Sequence, residues 1–186
     1  LTAMTFLSQR GYTEASLWAN AHGLMSGTGE GLFAPTNVMT RAQFVLILAQ
    51  IDGADLDSDE WAGTSFTDVA EGKWYSRAVQ WAFKNGYSSG TGENVFGVSG
   101  KVTRQQLATF FRTYAEKKGY DVSATADLSK FEDAGKIGAW AEAGMKWAVG
   151  AGLISGTSET TVSPQGVSTR AQVAVIARNF IENIVK

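Results

Sequence analysis

Cysteine is absent from this chain of 186 residues. Its absence excludes disulfides, thiolate nucleophiles and zinc–thiolate sites. Histidine is nearly absent too: His22 is the only one, so the sequence offers neither a Ser-His-Asp triad nor a cluster of histidine metal ligands. The sequence therefore predicts a non-catalytic protein that needs no metal and no cofactor.

A strong net charge and a long apolar run are also missing. The formal net charge is −2, whereas a domain that binds nucleic acid usually presents a basic face, so we expect no nucleic-acid partner. No stretch of 18 or more apolar residues occurs, so we expect no insertion into a membrane. The chain shows no signal peptide and begins at Leu1 rather than Met, so we expect it to be a piece of a longer protein.

What the chain does contain is one pattern written three times. A Trp-Ala pair begins at Trp18, Trp81 and Trp147, with spacings of 63 and 66 residues. Gly-Thr pairs and Thr-Arg pairs recur at the same two spacings; they begin at Gly27, Gly90, Gly156, Thr40, Thr103 and Thr169. A spacing that holds at several positions indicates tandem repeats. We place the three copies at residues 1–55, 56–120 and 121–186, together forming one compact domain.

Each copy carries the periodicity of two helices. In the second copy, one apolar stripe recurs at i, i+3, i+4 and i+7 and a second stripe follows a Gly-rich connection. The second stripe has counterparts in all three copies: Phe44, Ile47, Leu48 and Ile51; Leu107, Phe110, Phe111 and Tyr114; Val173, Ile176, Ala177 and Phe180. Three equivalent helices with one apolar face each predict an all-α fold with a quasi-threefold three-helix core and short extended pieces in the connections.

The sequence Thr-Arg-x-Gln precedes each of these helices. Thr followed by Gln three residues later predicts a capping box, which accounts for both of these residues. It does not account for Arg41, Arg104 and Arg170, because a cation is mildly unfavourable in the first turn of a helix. One interpretation is an anion site, in which free amides and a guanidinium bind a carboxylate. The alternative is a structural salt bridge to Asp68, Asp133 or another carboxylate.

Tryptophan gives the second recurrent signal. Trp74 and Trp81 are seven residues apart, as are Trp140 and Trp147, so each pair is predicted to lie on one helix face about 10 Å apart. They lie off the apolar stripe, and an exposed Trp face is a platform for a sugar ring. The alternative is that these indoles pack between repeats, since Trp is usually well buried.

The assembled repeat resembles the S-layer homology (SLH) module of bacterial surface proteins. The pieces that carry the resemblance, in order, are Phe-x-Asp-Val, Trp-Tyr, Ala-Val-x-Trp-Ala, Gly, Ser-Gly-Thr, Phe and Thr-Arg-x-Gln. The second and third copies match well, and the first matches only from about Tyr12 onward. The family's Thr-Arg-Ala-Glu motif corresponds here to Thr40–Gln43, Thr103–Gln106 and Thr169–Gln172, with Gln in place of Glu each time.

The resemblance implies both an architecture and a function. SLH modules usually come in threes and form a pseudo-trimer around a central three-helix bundle. They hold surface proteins on the Gram-positive cell wall, typically through a pyruvylated secondary cell wall polysaccharide that binds in grooves between repeats. The family's Trp after Phe-x-Asp-Val corresponds to Trp74 and Trp140, and Gly11 stands at that position in the first copy.

We therefore expect a non-covalent anchor at the extracellular cell wall or S-layer. Its candidate carbohydrate-binding residues are Arg41, Arg104, Arg170, Trp18, Trp74, Trp81, Trp140, Trp147, Gly27, Gly90, Gly156, Asp68 and Asp133. The main alternative is a protein–protein assembly module of a surface lattice that does not bind glycan, and lattice contacts through the parent protein are compatible with either reading. A wall-hydrolase fragment is disfavoured by the missing acid–base set.

Overall fold

The computed structural model describes residues 13–28 and 32–185. In this part of the chain, six α-helices follow one another: α1 (residues 13–21), α2 (Arg41–Asp52), α3 (Ser76–Lys84), α4 (Arg104–Lys117), α5 (Glu142–Gly150) and α6 (Arg170–Asn183). Three single-turn 3-10 helices cover Asp59–Trp61, Ala134–Lys136 and Ala139–Ala141. The atypical start of the first copy, with Gly11, lies outside the described residues. None of the described helices has the length and apolar character that a membrane crossing requires.

Capping boxes start α2, α4 and α6, as the sequence predicts. At α2, the Thr40 hydroxyl accepts a hydrogen bond from the Gln43 N–H at 3.2 Å, and the Gln43 side chain accepts one from the Thr40 N–H at 2.9 Å. The same pair of bonds forms at Thr103 and at Thr169. Each helix therefore begins at its Arg, because the preceding Thr satisfies an amide that the helix itself leaves without a partner.

The three second helices form the centre of the molecule. Their predicted apolar stripes are buried, apart from Ile51, which is partly buried. Phe44 of α2 lies 5.2 Å, between ring centroids, from both Phe110 and Phe111 of α4, and Phe111 lies 4.8 Å from Phe180 of α6. Because each buried Phe contributes roughly 1.5–3 kcal/mol, this aromatic contact is a main source of stability. The predicted all-α fold around a central three-helix bundle is confirmed.

The first helix of each copy packs outside this bundle, against the second helix of the preceding copy. Thus α3 packs on α2 and α5 on α4. The guanidinium of Arg178 on α6 lies over the Trp18 ring of α1 at 5.9 Å, which closes the series. The limits proposed for the three copies stay a prediction, since this packing joins each copy to the next.

A ring of backbone hydrogen bonds marks the quasi-threefold axis. The Met39 N–H donates to the Ser168 carbonyl at 2.9 Å, the Val102 N–H to the Met39 carbonyl at 3.0 Å, and the Ser168 N–H to the Val102 carbonyl at 3.2 Å. These residues are buried equivalents in the three copies. Beside them, the predicted extended pieces are isolated antiparallel bridges that pair Thr40 with Lys101, Thr103 with Val167 and Val38 with Thr169. The chain therefore closes into a pseudo-trimer.

Candidate functional site

A loop from the following copy wraps the start of each central helix. These three clasp loops, as we name them, are residues 33–37, 96–100 and 162–166. At α2, the Arg41 N–H donates to the Gly100 carbonyl at 2.9 Å and the Ala42 N–H to the Val98 carbonyl at 3.3 Å. The same two bonds form at α4 and at α6. The prediction that free amides at these helix starts bind an anion is therefore wrong, because the clasp loops already supply the acceptors.

The three arginine side chains contact the clasp loops as well. Their Nε groups donate to backbone carbonyls: Arg41 to Phe96 at 3.0 Å, Arg104 to Val162 at 2.9 Å and Arg170 to Phe33 at 2.9 Å. Within the described residues, Arg41 and Arg170 form no ion pair with a carboxylate, so the predicted salt bridge to Asp68 or Asp133 is wrong for these two. Each arginine instead ties one copy to the next through a peptide group.

Asp68 and Asp133 hold two of the clasp loops from the opposite side. The Asp68 carboxylate accepts hydrogen bonds from the N–H groups of Phe96, Gly97 and Val98 at 2.8, 2.7 and 3.1 Å. Asp133 accepts from Val162 and Ser163 at 2.9 and 2.8 Å. Burial alone raises the pKa of Asp68, but the bonds from these amides outweigh it and hold the pKa below its ordinary 3.8. These carboxylates therefore position the loops.

The tryptophans divide into buried and exposed members. Trp81 and Trp147 are only 2% and 1% exposed, so they offer no ring face to a ligand. The predicted two-tryptophan faces are wrong, because Trp74 precedes α3 and Trp140 lies in the 3-10 turn before α5. The seven-residue spacing therefore does not run along one helix. Trp18 is partly buried and stacks on His22 at 4.2 Å.

Trp74 and Trp140 do present their rings to solvent, at 59% and 58% exposure. The turn that carries Trp140 is held against the start of α4, where the Gly138 N–H donates to the Gln105 side chain at 2.9 Å. This bond brings an indole of the third copy beside a groove formed by the first two copies.

That groove, which we call the Arg41 groove, encloses about 370 Å³. It runs between the turn after α3 and the first turns of α4. Its lining is Arg41, Phe83, Gly86, Tyr87, Ser88, Ser89, Gly90, Gln106, Thr109, Phe110, Thr113 and Trp140. The lining combines one cation, four aromatic rings and several hydroxyl groups, which is a composition suited to a polar ligand with an apolar face and a negative charge.

Arg41 is the unusual member of this lining. It is only 4% exposed, and its Nη2 is buried with no hydrogen-bond partner in residues 13–28 and 32–185. Its guanidinium lies over Phe96 at 4.9 Å and over Phe110 at 5.2 Å. Burial lowers its pKa to about 10, partly opposed by Asp68, so the group stays cationic at neutral pH. An unpaired buried donor of this kind is costly, and an acidic ligand in the groove would satisfy it.

In the other two arginines, Nη2 does have a hydrogen-bond acceptor. In Arg170 this nitrogen donates to the Ser26 carbonyl at 2.6 Å, and in Arg104 it donates to the Ser155 carbonyl. The three equivalent arginines therefore differ: two donate Nη2 to a backbone carbonyl, and Arg41 does not.

The recurring glycines serve the turns around the grooves. Gly90 has a φ of +90°, and a Cβ there would clash with the Val95 carbonyl oxygen. A Cβ at Gly156 would lie 2.5 Å from the Ser158 carbonyl oxygen. Gly90 lines the Arg41 groove, and Gly27 is exposed. Backbone geometry thus accounts for glycine at positions 90 and 156.

Most of the groove lining is not predicted as a site from the sequence. Phe110 is predicted only as part of the apolar stripe, and Ser89 is recognised only as part of the Ser-Gly-Thr piece. One signal was present: Phe110 is aromatic where the other copies have Ile47 and Ile176.

A model of the S-layer homology domain family matches residues 17–45, 65–108 and 130–174, one segment in each copy. The chain belongs to this family. The three SLH segments contain the three tryptophans of the Trp-Ala pairs and the three capping boxes. The resemblance that the motifs indicated is therefore confirmed over the greater part of the chain.

Named relatives share this region. An S-layer protein of Bacillus thuringiensis subsp. finitimus is 31% identical over 82% of this chain and 18% of its own length. A cellulosome-anchoring protein of Acetivibrio thermocellus is 29% identical over 84% of this chain and 35% of its own. The exoglucanase XynX of the same species is 27% identical over 86% of this chain and 14% of its own. The SLH chain thus spans only a minor part of these relatives.

SLH domains are anchoring modules of cell-surface proteins, and this chain is one of them. Its place is therefore outside the cell, at the cell wall or S-layer. Enzymes among the relatives carry the same module within much longer chains.

Proposed function

We propose that this SLH chain anchors its parent protein by binding an anionic, pyruvylated polysaccharide of the cell wall, and that it has no catalytic role. The observation that carries the proposal is the buried Nη2 of Arg41, which has no hydrogen-bond partner among the described residues and belongs to a side chain that lines a groove. Relatives named as an S-layer protein and a cellulosome-anchoring protein support an attachment function. The corresponding positions at Arg104 and Arg170 stay predictions.

The groove matches such a glycan in charge, shape and size. A pyruvate ketal offers a carboxylate, which Arg41 would bind by a charge-assisted hydrogen bond. The exposed ring of Trp140 would pack against the C–H face of a sugar. Ser88, Ser89 and Thr113 place further polar groups along the walls. A volume of about 370 Å³ lies within the range of ordinary ligand sites and suits a short saccharide segment.

Replacing Arg41 tests the proposal directly. We expect Arg41→Gln to weaken binding of purified wall polysaccharide at least tenfold in isothermal titration calorimetry, because hydrogen bonds to charged groups contribute about 1.5–3 kcal/mol. Removing pyruvate from the polysaccharide should weaken wild-type binding to the same degree and leave the variant unchanged.

Arg112→Gln is the matched control. It removes the same charge from α4, but Arg112 pairs with Glu116 and does not line the groove. The proposal would be contradicted if the wild-type chain bound pyruvate-free polysaccharide as tightly as the intact polysaccharide. A chain that associates with itself in light scattering without glycan, and that binds no glycan in the titration, would also contradict the proposal. A protein–protein lattice module predicts that result.

Trp140 gives a second, smaller effect. We expect Trp140→Ala to lower affinity by about threefold to tenfold, since an aromatic packing contact contributes about 0.5–1.5 kcal/mol beyond area burial. Trp140→Phe retains a ring and should retain most of the affinity. The measurement is the same titration; equal affinity of the Ala variant and the wild type would remove this residue from the site.

A further inference from the structure

The three arginines of the Thr-Arg pairs differ in the hydrogen bonds of Nη2. The carbonyl before each Gly-Thr pair belongs to Ser26, Ser89 or Ser155. Arg170 and Arg104 donate Nη2 to the first and the last of these. Arg41 Nη2 does not bond to the Ser89 carbonyl, nor to any other acceptor in the described ranges of the chain. Two arginines therefore donate Nη2 to the protein's own backbone and are latched in this sense, whereas the buried Nη2 of Arg41 is not.

The rings around the guanidinium supply a physical cause. Arg41 lies between Phe96 of the clasp loop and Phe110 of α4, with both ring centroids within 5.2 Å of its central carbon. The equivalents of Phe110 are Ile47 and Ile176. In the part of the chain that the structure describes, Arg170 lies over a single ring, that of Phe33, at 4.9 Å. Cation–π attraction from two sides holds the Arg41 guanidinium in place and away from the Ser89 carbonyl.

We propose that the three grooves are unequal: a carboxylated saccharide binds only in the Arg41 groove, and Phe110 is the residue that keeps this groove open. The inference rests on the proposed function, because it assumes that a glycan carboxylate is the ligand. At a latched arginine, an incoming carboxylate has to displace an internal charge-assisted hydrogen bond, so it exchanges one contact for another. At Arg41 the carboxylate accepts from an N–H group that has no internal acceptor to give up, so the full free energy of the new hydrogen bond favours binding.

An indole also borders the Arg41 groove, because Trp140 lines it. In the sequence, Gly11 stands where the second and third copies have Trp74 and Trp140, so two of the three copies supply an indole at this position. One site per chain has a consequence for anchoring. Avidity on a polymer must then come from several chains on one glycan rather than from three grooves of one chain.

Stoichiometry distinguishes one working groove from three. The probe is a pyruvylated disaccharide released from secondary cell wall polysaccharide, which is too short to bridge two grooves. In isothermal titration we expect one site per chain, loss of the binding heat in Arg41→Gln, and wild-type binding in Arg104→Gln and Arg170→Gln. Two or three sites, or an equal loss in either of the last two variants, would overturn the inference and leave the proposed function intact. Absence of wild-type binding would overturn both.

Phe110→Ile tests the cause without touching the arginine. This change gives the Arg41 groove the residue found in the other copies, so Arg41 should turn to the Ser89 carbonyl and affinity should fall about tenfold. Phe111→Ile is the matched control: it alters the neighbouring ring of the same stripe, which faces Phe44 and Phe180. Circular dichroism melting confirms that both variants are folded at the titration temperature. Unchanged affinity in Phe110→Ile, or an equal fall in Phe111→Ile, would rule out the role assigned to Phe110.

Discussion

Phe180→Ala is expected to lower the free energy of unfolding by about 3–5 kcal/mol, because a large buried ring is lost and a cavity remains. Phe180 is fully buried on α6, and its ring centroid lies 4.8 Å from Phe111, 5.9 Å from Tyr114 and 6.5 Å from Trp147. Its contacts therefore reach α4 and α5 as well as its own helix. Since domains are stable by only about 5–15 kcal/mol, one substitution would remove a large part of the total.

Denaturant unfolding measures this effect. The midpoint should fall while the slope with denaturant stays constant, and the melting temperature should drop by about 10 °C or more. Leu17→Ala is the control, because Leu17 is an exposed apolar residue of α1 and its loss should change stability by no more than about 0.5 kcal/mol. A Phe180→Ala variant within 1 kcal/mol of the wild type would show that the three central helices do not depend on a shared core.

The features that the sequence predicted correctly are local or recur in every copy. A capping box such as Thr40 with Gln43 involves residues three apart, so its chemistry can be read from the sequence itself. An apolar stripe such as the one from Leu107 to Tyr114 indicates which helix face is buried. Its recurrence in three copies predicts that three such faces pack together. The central bundle follows from these two facts.

The features that the sequence did not predict depend on pairings between copies. Arg41, Arg104 and Arg170 find their carbonyl partners 55, 58 and 137 residues away in the chain. A peptide carbonyl is present at every residue, so no residue type marks it as the acceptor. The sequence therefore indicated that these arginines have a use, but it did not indicate these backbone partners.

The prediction that each tryptophan pair lies on one helix face was wrong for a related reason. The spacing from Trp74 to Trp81 has helical periodicity, but the helix begins at Ser76. The first residue of α3 is hard to predict from the sequence, because no side chain caps this helix. The Trp-Tyr pair before it does not mark where the helix begins. Boundaries of this kind decide whether two indoles share a face, and here they separate a buried ring from an exposed one.

Both backbone polar groups of Phe96 connect the fold to the groove. The Phe96 N–H is held by Asp68 and the Phe96 carbonyl by Arg41, while the Phe96 ring lies under the Arg41 guanidinium. The carboxylate, the loop and the arginine therefore act as one unit, and the geometry of the proposed glycan contact depends on a residue that does not line the groove.

Asp68→Asn is expected to destabilise the protein by about 1–3 kcal/mol. The amide retains the size of the carboxylate, and its oxygen can accept from the N–H groups of Gly97 and Val98, which now donate to one carboxylate oxygen, but its NH₂ end would then face the N–H group of Phe96. A donor would be opposed to a donor there, and an unsatisfied buried donor costs about 1–3 kcal/mol. Denaturant unfolding at pH 7 gives the magnitude, and Asp57→Asn, an exposed carboxylate in the linker, is the control that should change little.

The pH dependence of that difference identifies the cause. The pKa of Asp68 is lowered in the folded protein from its ordinary 3.8, so the folded state favours the ionised carboxylate more than the unfolded chain does. The resulting stability is fully present above the ordinary pKa and is lost as the pH falls through the lower folded value. The stability gap between wild type and Asp68→Asn should thus stay constant from pH 7 to about pH 5 and narrow below about pH 4. A gap that is the same at pH 3 as at pH 7 would show that shape, rather than the charge of Asp68, holds the clasp loop against Arg41.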